Sequence, residues 1–266
     1  MTTTTATPGR QRLFGLELDA LTMAQVLDRC DTALATRRRL LVGVVNAAKV
    51  VNLHKDPLLR DSLLEADVLL ADGQSVVWAS RLLRHPLPER VAGIDLFEEL
   101  LARADRSGRG IYLLGARPEV LAALVERIGQ RFPGLRVAGS RDGYFTSEQA
   151  SEVADDIAAS GADMLFLGMV SPKKEMFLAA HGDRLGVPVL HGVGGSFDVL
   201  AGVTRRAPRA WQRLGLEWAY RLVQEPGRLW RRYLTTNTVF IWLTIRELVR
   251  PTPPYRRSEG SGGFHG

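Results

Sequence analysis

The chain has 266 residues, 45% hydrophobic and 24% charged, enough for one sizeable core with an appendage. A single cysteine, Cys30, excludes a disulfide framework and any multi-cysteine metal site, and it suits a reducing compartment. The net charge of +6 is uneven: residues 203–266 hold 12 Arg, no Lys, 4 Glu and no Asp, a net of +8 that leaves −2 for residues 1–202.

In chain order, residues 1–12 (MTTTTATPGRQR) lack an apolar core and read as a disordered lead-in, not a signal peptide. Residues 12–18 form a short edge strand, and residues 22–36 a helix with apolar positions at helical spacing. Cys30 lies in that helix, where a small packed side chain is expected and not a nucleophile. The run LLVGVV (40–45) is a strand buried on both faces, ending at Asn46. Helices follow after Asn46 and from Pro57 to 65. The run ADVLLA (66–71) is the next strand and stops at Asp72-Gly73, with helices over 74–83 and 93–107. Strand 110–114 turns at Gly115 into helix 119–132. Strand 135–139 leads through the loop Asp142-Gly143-Tyr144-Phe145 to a helix that ends at Ser160, with Thr146 and Gln149 as its capping box. Strand 163–167, helix 172–185 and strand 188–191 complete the alternation.

This order predicts an α/β fold: a Rossmann-like, doubly wound, mostly parallel sheet over residues 13–204. Residues 205–250 read as a helical appendage rich in Arg and Trp, with four of the five Trp, and residues 251–266 as a disordered tail. The run VFIWLTI (239–245) is far shorter than the roughly 20 apolar residues of a spanning helix. Arg beside Trp and Tyr suits a surface where phosphates meet an apolar phase.

Ligands of such sheets bind at the carboxyl ends of the strands. The residues there are Asn46, Asp72-Gly73, Gly115, Gly143, Gly168 with Ser171-Pro172-Lys173, and Gly192 to Asp198. Amides of glycine-rich turns and helix N-termini suit a diphosphate. Asp72-Gly73 alone reads first as a turn. There is no dinucleotide fingerprint, since Phe197 stands where its last Gly belongs, and no Walker A or Asp-x-Asp motif. The five His are scattered, without ligand spacing. One acid at a strand end, glycine turns and excess Arg suit a transferase of diphosphates that requires no metal and no cofactor.

Together these turns resemble the WecG/TagA/CpsF family of bacterial glycosyltransferases (glycosyltransferase family 26) from about residue 15 to 233. The motifs are Asn46, Ala71-Asp72-Gly73, Pro88-Glu-Arg90-Val-Ala-Gly93-Ile-Asp95, Asp142-Gly143-Tyr144-Phe145, Ser171-Pro172-Lys-Lys-Glu175 and Gly192-Val-Gly194-Gly-Ser-Phe197-Asp198. Arg206-Ala-Pro208, Gly215-Leu-Glu217-Trp218, Arg221, Glu225-Pro226 and Arg228-Leu-Trp-Arg231-Arg232-Tyr233 extend them. The resemblance implies transfer of a hexose, typically N-acetylmannosamine, from a UDP-sugar to a polyprenyl-diphosphate-linked sugar, with inversion and without metal. It makes Asp72 the general base, with Asn46 and Arg90 beside it in the catalytic set. Gly73, Gly115, Gly143, Tyr144, Gly168, Pro172, Lys173, Lys174, Glu175, Gly194, Phe197 and Asp198 would form the donor site. Arg221, Arg228, Arg231 and Arg232 would serve the diphosphate and the membrane. Their spacing puts them on one face if a single helix carries them. The implied setting is cytoplasmic, peripheral on the inner face of the plasma membrane, for envelope or exported polysaccharide, with a homo-oligomer as a further family trait.

Two positions depart from the family pattern: Val44 where many relatives carry Thr, and Lys174 where many carry Gln. Both lie near the expected donor site, which leaves glucose, mannose and a uronic acid open as donors. Two other classes compete. A nucleotide-dependent Rossmann enzyme of different chemistry would hold NAD tightly. A nucleic-acid binder would bind DNA more strongly than liposomes; the acidic body and the lack of a nucleic-acid motif count against it.

Overall fold

The computed structural model describes residues 9–256 apart from Ser171, Leu214 and Glu225. The side chains of Arg209, Arg213, Arg221, Arg228, Leu229 and Arg232 also lie outside the description. A hairpin, β1 (Arg10–Leu13) and β2 (Leu16–Asp19), precedes α1 (Met23–Thr36). Then come β3 (Leu40–Val45), α2 (Ala47–Asn52), α3 (Pro57–Leu64), β4 (Val68–Ala71), α4 (Gln74–Leu82), α5 (Gly93–Ser107), β5 (Gly110–Gly115), α6 (Pro118–Arg131) and β6 (Arg136–Arg141). The series continues with α7 (Ala150–Ala159), β7 (Met164–Gly168), α8 (Lys173–His181), β8 (Val189–Gly192), α9 (Ser196–Leu200), α10 (Arg209–Arg213), α11 (Glu217–Gln224) and α12 (Pro226–Val249).

The expected Rossmann-like sheet is present: six strands in the order β4-β3-β8-β7-β5-β6, every pairing parallel. Side chains alternate along each strand. Val42, Val44, Leu70, Ile111, Leu113 and Phe166 pack under α1, α5, α6 and α9. On the other face Leu41, Tyr112, Leu114, Leu165 and Leu190 meet α7 and α8, while Val45, Leu69 and Ala71 meet α3, α4 and the hairpin. From β5 the chain runs outward to β6 and from β7 inward to β8, so the connections diverge between β5 and β7, where such sheets open a crevice.

Several expectations need correction. Residues 12–18 are not an edge strand of the main sheet, and residues 10–12 are not a lead-in; they belong to the separate β1–β2 hairpin, turning at Phe14 and Gly15 with φ of 54° and 77°. The local sequence has no polar turn signal because the turn is buried from afar: Phe14 packs on Phe240 at 5.5 Å and donates its N–H to Glu247 at 3.1 Å. Thr146 and Gln149 do exchange their capping bonds, at 3.4 and 3.0 Å, but in a turn ahead of α7. Residues 251–256 are not part of a loose tail: Tyr255 donates its N–H to Gly15, and its ring packs against His54 at 5.9 Å. Residues 257–266 lie outside the described residues. Finally, α11 and α12 are separate helices; Pro226, which has no N–H to donate, opens α12. Arg221 therefore belongs to a different helix from Arg228, Arg231 and Arg232.

Candidate active site

A cleft of about 710 Å³ opens at the carboxyl ends of β3, β4 and β8, between α4 and α12. Its floor is built by neighbouring strands ending in step. Val45 pairs with Ala71, so the next residues, Asn46 and Asp72, emerge side by side. Asn46 caps α2, its Oδ1 accepting the N–H of Lys49 at 3.1 Å. Asp72 donates its N–H to Val45, and its Oδ1 accepts from Gly93 N at 2.9 Å, at the start of the 15-residue helix α5. Val91 N bonds Ala71 O at 2.9 Å, which brings the Arg90 loop back over the end of β4. Gly194, Gly195 and Ser196 close the third side. A Cβ on Gly194 or Gly195 would meet nothing within 4 Å, so backbone there is open to a ligand.

Arg90 is engaged by the C-terminal segment: it bonds Glu217 of α11 at 2.9 Å and faces Asp95 of α5 at 3.6 Å. Arg206 joins the same cluster through Asp95 at 2.6 Å, with Glu98 and Glu217 at 3.6 Å. A guanidinium held between two carboxylates on different elements is oriented before any ligand arrives.

Lys49 is a group the sequence reading passed over, and His191 is one of the five scattered histidines, here a buried one with both ring nitrogens satisfied. Lys49 lines the cleft and donates to Val44 O at 2.7 Å. Burial lowers its amine from the usual 10.5 to about 8; the Lys174 ammonium adds to this, and Asp72 and Glu175 oppose it. Lys174 pairs with the buried Glu175 at 2.9 Å. Lys49, Lys174, Glu175, Val44 and Gly192 share a second cavity of about 30 Å³. The available signal for Lys49 was its place three residues after the strand-end Asn46. His191 is fully buried with its ring nitrogens 3.2 Å from Val42 O and 3.0 Å from Gly93 O. Burial pushes its pKa down; the two carbonyls and Asp72 pull the other way. It braces, through Gly93, the turn that holds Asp72.

The other expected donor residues form a second group, at the β5–β7 divergence, outside the lining of the cleft. Gly115 pairs with Gly168, and a Cβ on Gly115 would lie 2.4 Å from Gly168 C. Gly143 packs on Gly115. Lys173 donates to Gly143 O at 2.7 Å and to Phe145 O, with its ammonium 4.0 Å from the centre of the Phe145 ring, and so ties down the loop that exposes Tyr144. Pro172 precedes α8 on the surface, and Ser171 lies outside the described residues. Phe197 is fully buried against Phe97 at 5.7 Å and beneath Gly168; it packs the turn and does not reach the cleft. Asp198 is half-buried and accepts Val203 and Thr204 N–H through its backbone carbonyl. Arg231 lies over Trp230 at 5.3 Å on the surface, whereas the side chains of Arg221, Arg228 and Arg232 lie outside the described residues. Among the described residues no three His, Cys, Asp or Glu side chains gather as a metal site, and no helix is long and apolar enough to cross a membrane.

Chemically, the cleft offers a partly freed carboxylate, an amide, an oriented guanidinium and open glycine backbone within one concavity. The family model described as glycosyl transferase WecG/TagA/CpsF matches residues 11–253. A curated protein of Bacillus spizizenii, N-acetylglucosaminyldiphosphoundecaprenol N-acetyl-beta-D-mannosaminyltransferase, is 42% identical over 201 residues, which cover 76% of this chain and 77% of that protein.

Proposed function

This chain belongs to the WecG/TagA/CpsF family of glycosyltransferases, and from that premise we propose that it transfers N-acetylmannosamine or a related hexose from a UDP-sugar to a polyprenyl-diphosphate-linked saccharide, with inversion and without a metal ion. The observation that carries the reading is the convergence of Asn46, Asp72 and Arg90 on one cleft. Gly93 N–H holds Oδ1 of Asp72, which leaves Oδ2 to take the proton of the acceptor hydroxyl as its oxygen bonds the anomeric carbon. The bond from that carbon to the UDP oxygen breaks in the same displacement, and its electron pair leaves with UDP. Arg90 stabilises the departing diphosphate, a task positioned guanidinium groups perform without a cation. Asn46 orients the reacting groups, and the open backbone of Gly194 and Gly195 after β8 offers amides to the donor's diphosphate.

The relative named above acts, by its name, on N-acetylglucosaminyl-diphospho-undecaprenol, and an acceptor of that class fits the cleft's mixture of polar floor and apolar walls. N-acetylmannosamine is the donor we favour. Lys174, one of the two departures that left a uronic acid open because its ammonium could pair a carboxylate, is already paired with Glu175. The domain reading is a catalytic body whose site is completed by residues 205–250, a view supported by the Arg90–Glu217 bond. Exposed Trp230, Leu234 and Trp242 together with Arg231 and Arg246 suit peripheral contact with an anionic inner membrane face.

The test is UDP release from a panel of UDP-sugars with a synthetic polyprenyl-diphosphate-linked N-acetylglucosamine in detergent. Release is expected to require both substrates and to fall by roughly 10²–10⁴-fold in Asp72→Asn, the range of a lost general base. Full activity in that variant would remove Asp72 from the role. Release without dependence on any lipid-linked acceptor would overturn the reaction.

A further inference from the structure

The cleft changes character along its length. On α4 the residues that line it are Gln74, Ser75, Trp78, Ala79 and Leu82; on α12 they include Asn237, Phe240, Ile241, Thr244 and Ile245. Both sets recur at three- and four-residue spacing, so each is one face of its helix. α4 starts beside Asp72-Gly73 and runs away from the strand ends, while α12 runs toward the hairpin, where Glu247 bonds Phe14. Both walls pass from polar to apolar in the same order, Ser75 to Leu82 and Asn237 to Ile245, over roughly 10 Å at 1.5 Å per residue. Trp78, Leu82, Ile241 and Ile245 are 52%, 56%, 59% and 55% exposed. Four large apolar side chains around one groove, continuous with a polar site, mark a binding surface.

We propose that this apolar half of the cleft seats the first isoprenoid units of the acceptor's lipid chain, so that the enzyme grips lipid and sugar together. The inference rests on the acceptor proposed above. The occupant is set by continuity: whatever carries a diphosphate at Asp72 and Arg90 and extends outward between α4 and α12 meets, among the described residues, no charged side chain on the lining faces of these two helices. A peptide segment would bring backbone N–H and C=O groups into the groove. Among the described residues the only polar side chain on its apolar stretch, Thr244, already donates its hydroxyl to Phe240 O. A branched hydrocarbon makes no such demand.

The experiment compares acceptors bearing the same diphosphate-linked sugar on an ethyl group or on one, two or three isoprene units, all below their micellar concentrations. The readout is the ratio of kcat/KM for the three-isoprene acceptor to that for the ethyl acceptor, which cancels any general loss. In the wild type the ratio is expected to be about tenfold or more, and in the double variant Leu82→Asn, Ile245→Asn it is expected to fall to about one. Because both side chains are already half-exposed, the variant should melt at the wild-type temperature. A wild-type ratio of one, or an unchanged ratio in the double variant, would overturn the inference while leaving the reaction intact. So would loss of vesicle binding in the variant with its ratio preserved, which would assign this face to the bilayer. Absence of transfer to every acceptor from every UDP-sugar would instead overturn the proposed reaction, and the inference with it.

Discussion

Lys49 occupies a place where a solvated lysine would be expected, the first turn of a helix, yet its amine points back to Val44 O. Its folded pKa is lowered from 10.5 to about 8. Below pH 8 both folded and unfolded chains carry the proton, and the cost of burying the ammonium is present in full. Between about 8 and 10.5 the unfolded chain binds more protons than the folded one, so stability rises with pH across that window. Urea unfolding at two pH values, about 7.5 and 9.5, should show a rise of about 2 kcal/mol in the wild type that Lys49→Met lacks. An equal rise in both proteins would mean the amine is not perturbed. The chain has only four lysines, which keeps this signal readable. The same residue shows where sequence reading stops. Asn46 and Asp72 are legible because they terminate uniform β-type runs, whereas Lys49 looks like any surface lysine until β8 and α8 fold over it. The partner of Arg90, Glu217, is 127 residues away, and no local pattern announces it.

At the scale of elements, the close approach of the ends of β5 and β7 is fixed by the absence of side chains. A Cβ on Gly168 would lie 2.3 Å from the ring of Phe197, which is fully buried and backed by Phe97. Neither ring has room to retreat in a close-packed core. Gly168→Ala is expected to cost roughly 2–3 kcal/mol, seen as a fall in Tm of roughly 5–10 °C for a chain of this size. Adding Phe197→Leu should recover part of that loss in a double-mutant cycle. Simple additivity would show that the two residues do not press on each other. The glycines after the strands were readable as turns; that Phe197 packs beneath one of them was not, since the spacing of a glycine motif does not reveal which side chain fills the space. The hairpin illustrates the same point, because Phe14 holds a positive φ that only burial against Phe240 and Glu247 makes worthwhile.

For the molecule as a whole, charge and hydrophobicity are separated along the chain and then reunited in space. Residues 203–266 carry +8 against −2 for the rest, yet Phe240, Leu243 and Glu247 of α12 are buried against the hairpin and α2. One face of α12 is thus part of the core, while Trp230, Leu234 and Trp242 remain exposed. Binding to vesicles containing anionic lipid should exceed binding to zwitterionic vesicles and weaken strongly between about 50 mM and 0.5 M salt as screening shortens the reach of the charges. Equal binding to both lipid types, insensitive to salt, would sink the electrostatic part of the membrane reading.

The sequence by itself determined the parallel α/β architecture, because buried strands and amphipathic helices have different periods and their alternation is local information. It also determined the strand-end residues and the charge asymmetry, since both are written in consecutive positions. Tertiary structure alone decided the strand order, the hairpin, the pairing of Arg90 with Glu217, the enclosure of Lys49 and the groove between α4 and α12. Each of these depends on groups far apart in the chain, brought together by burying apolar surface that many pairings could satisfy. Only the fold's shape selects among them.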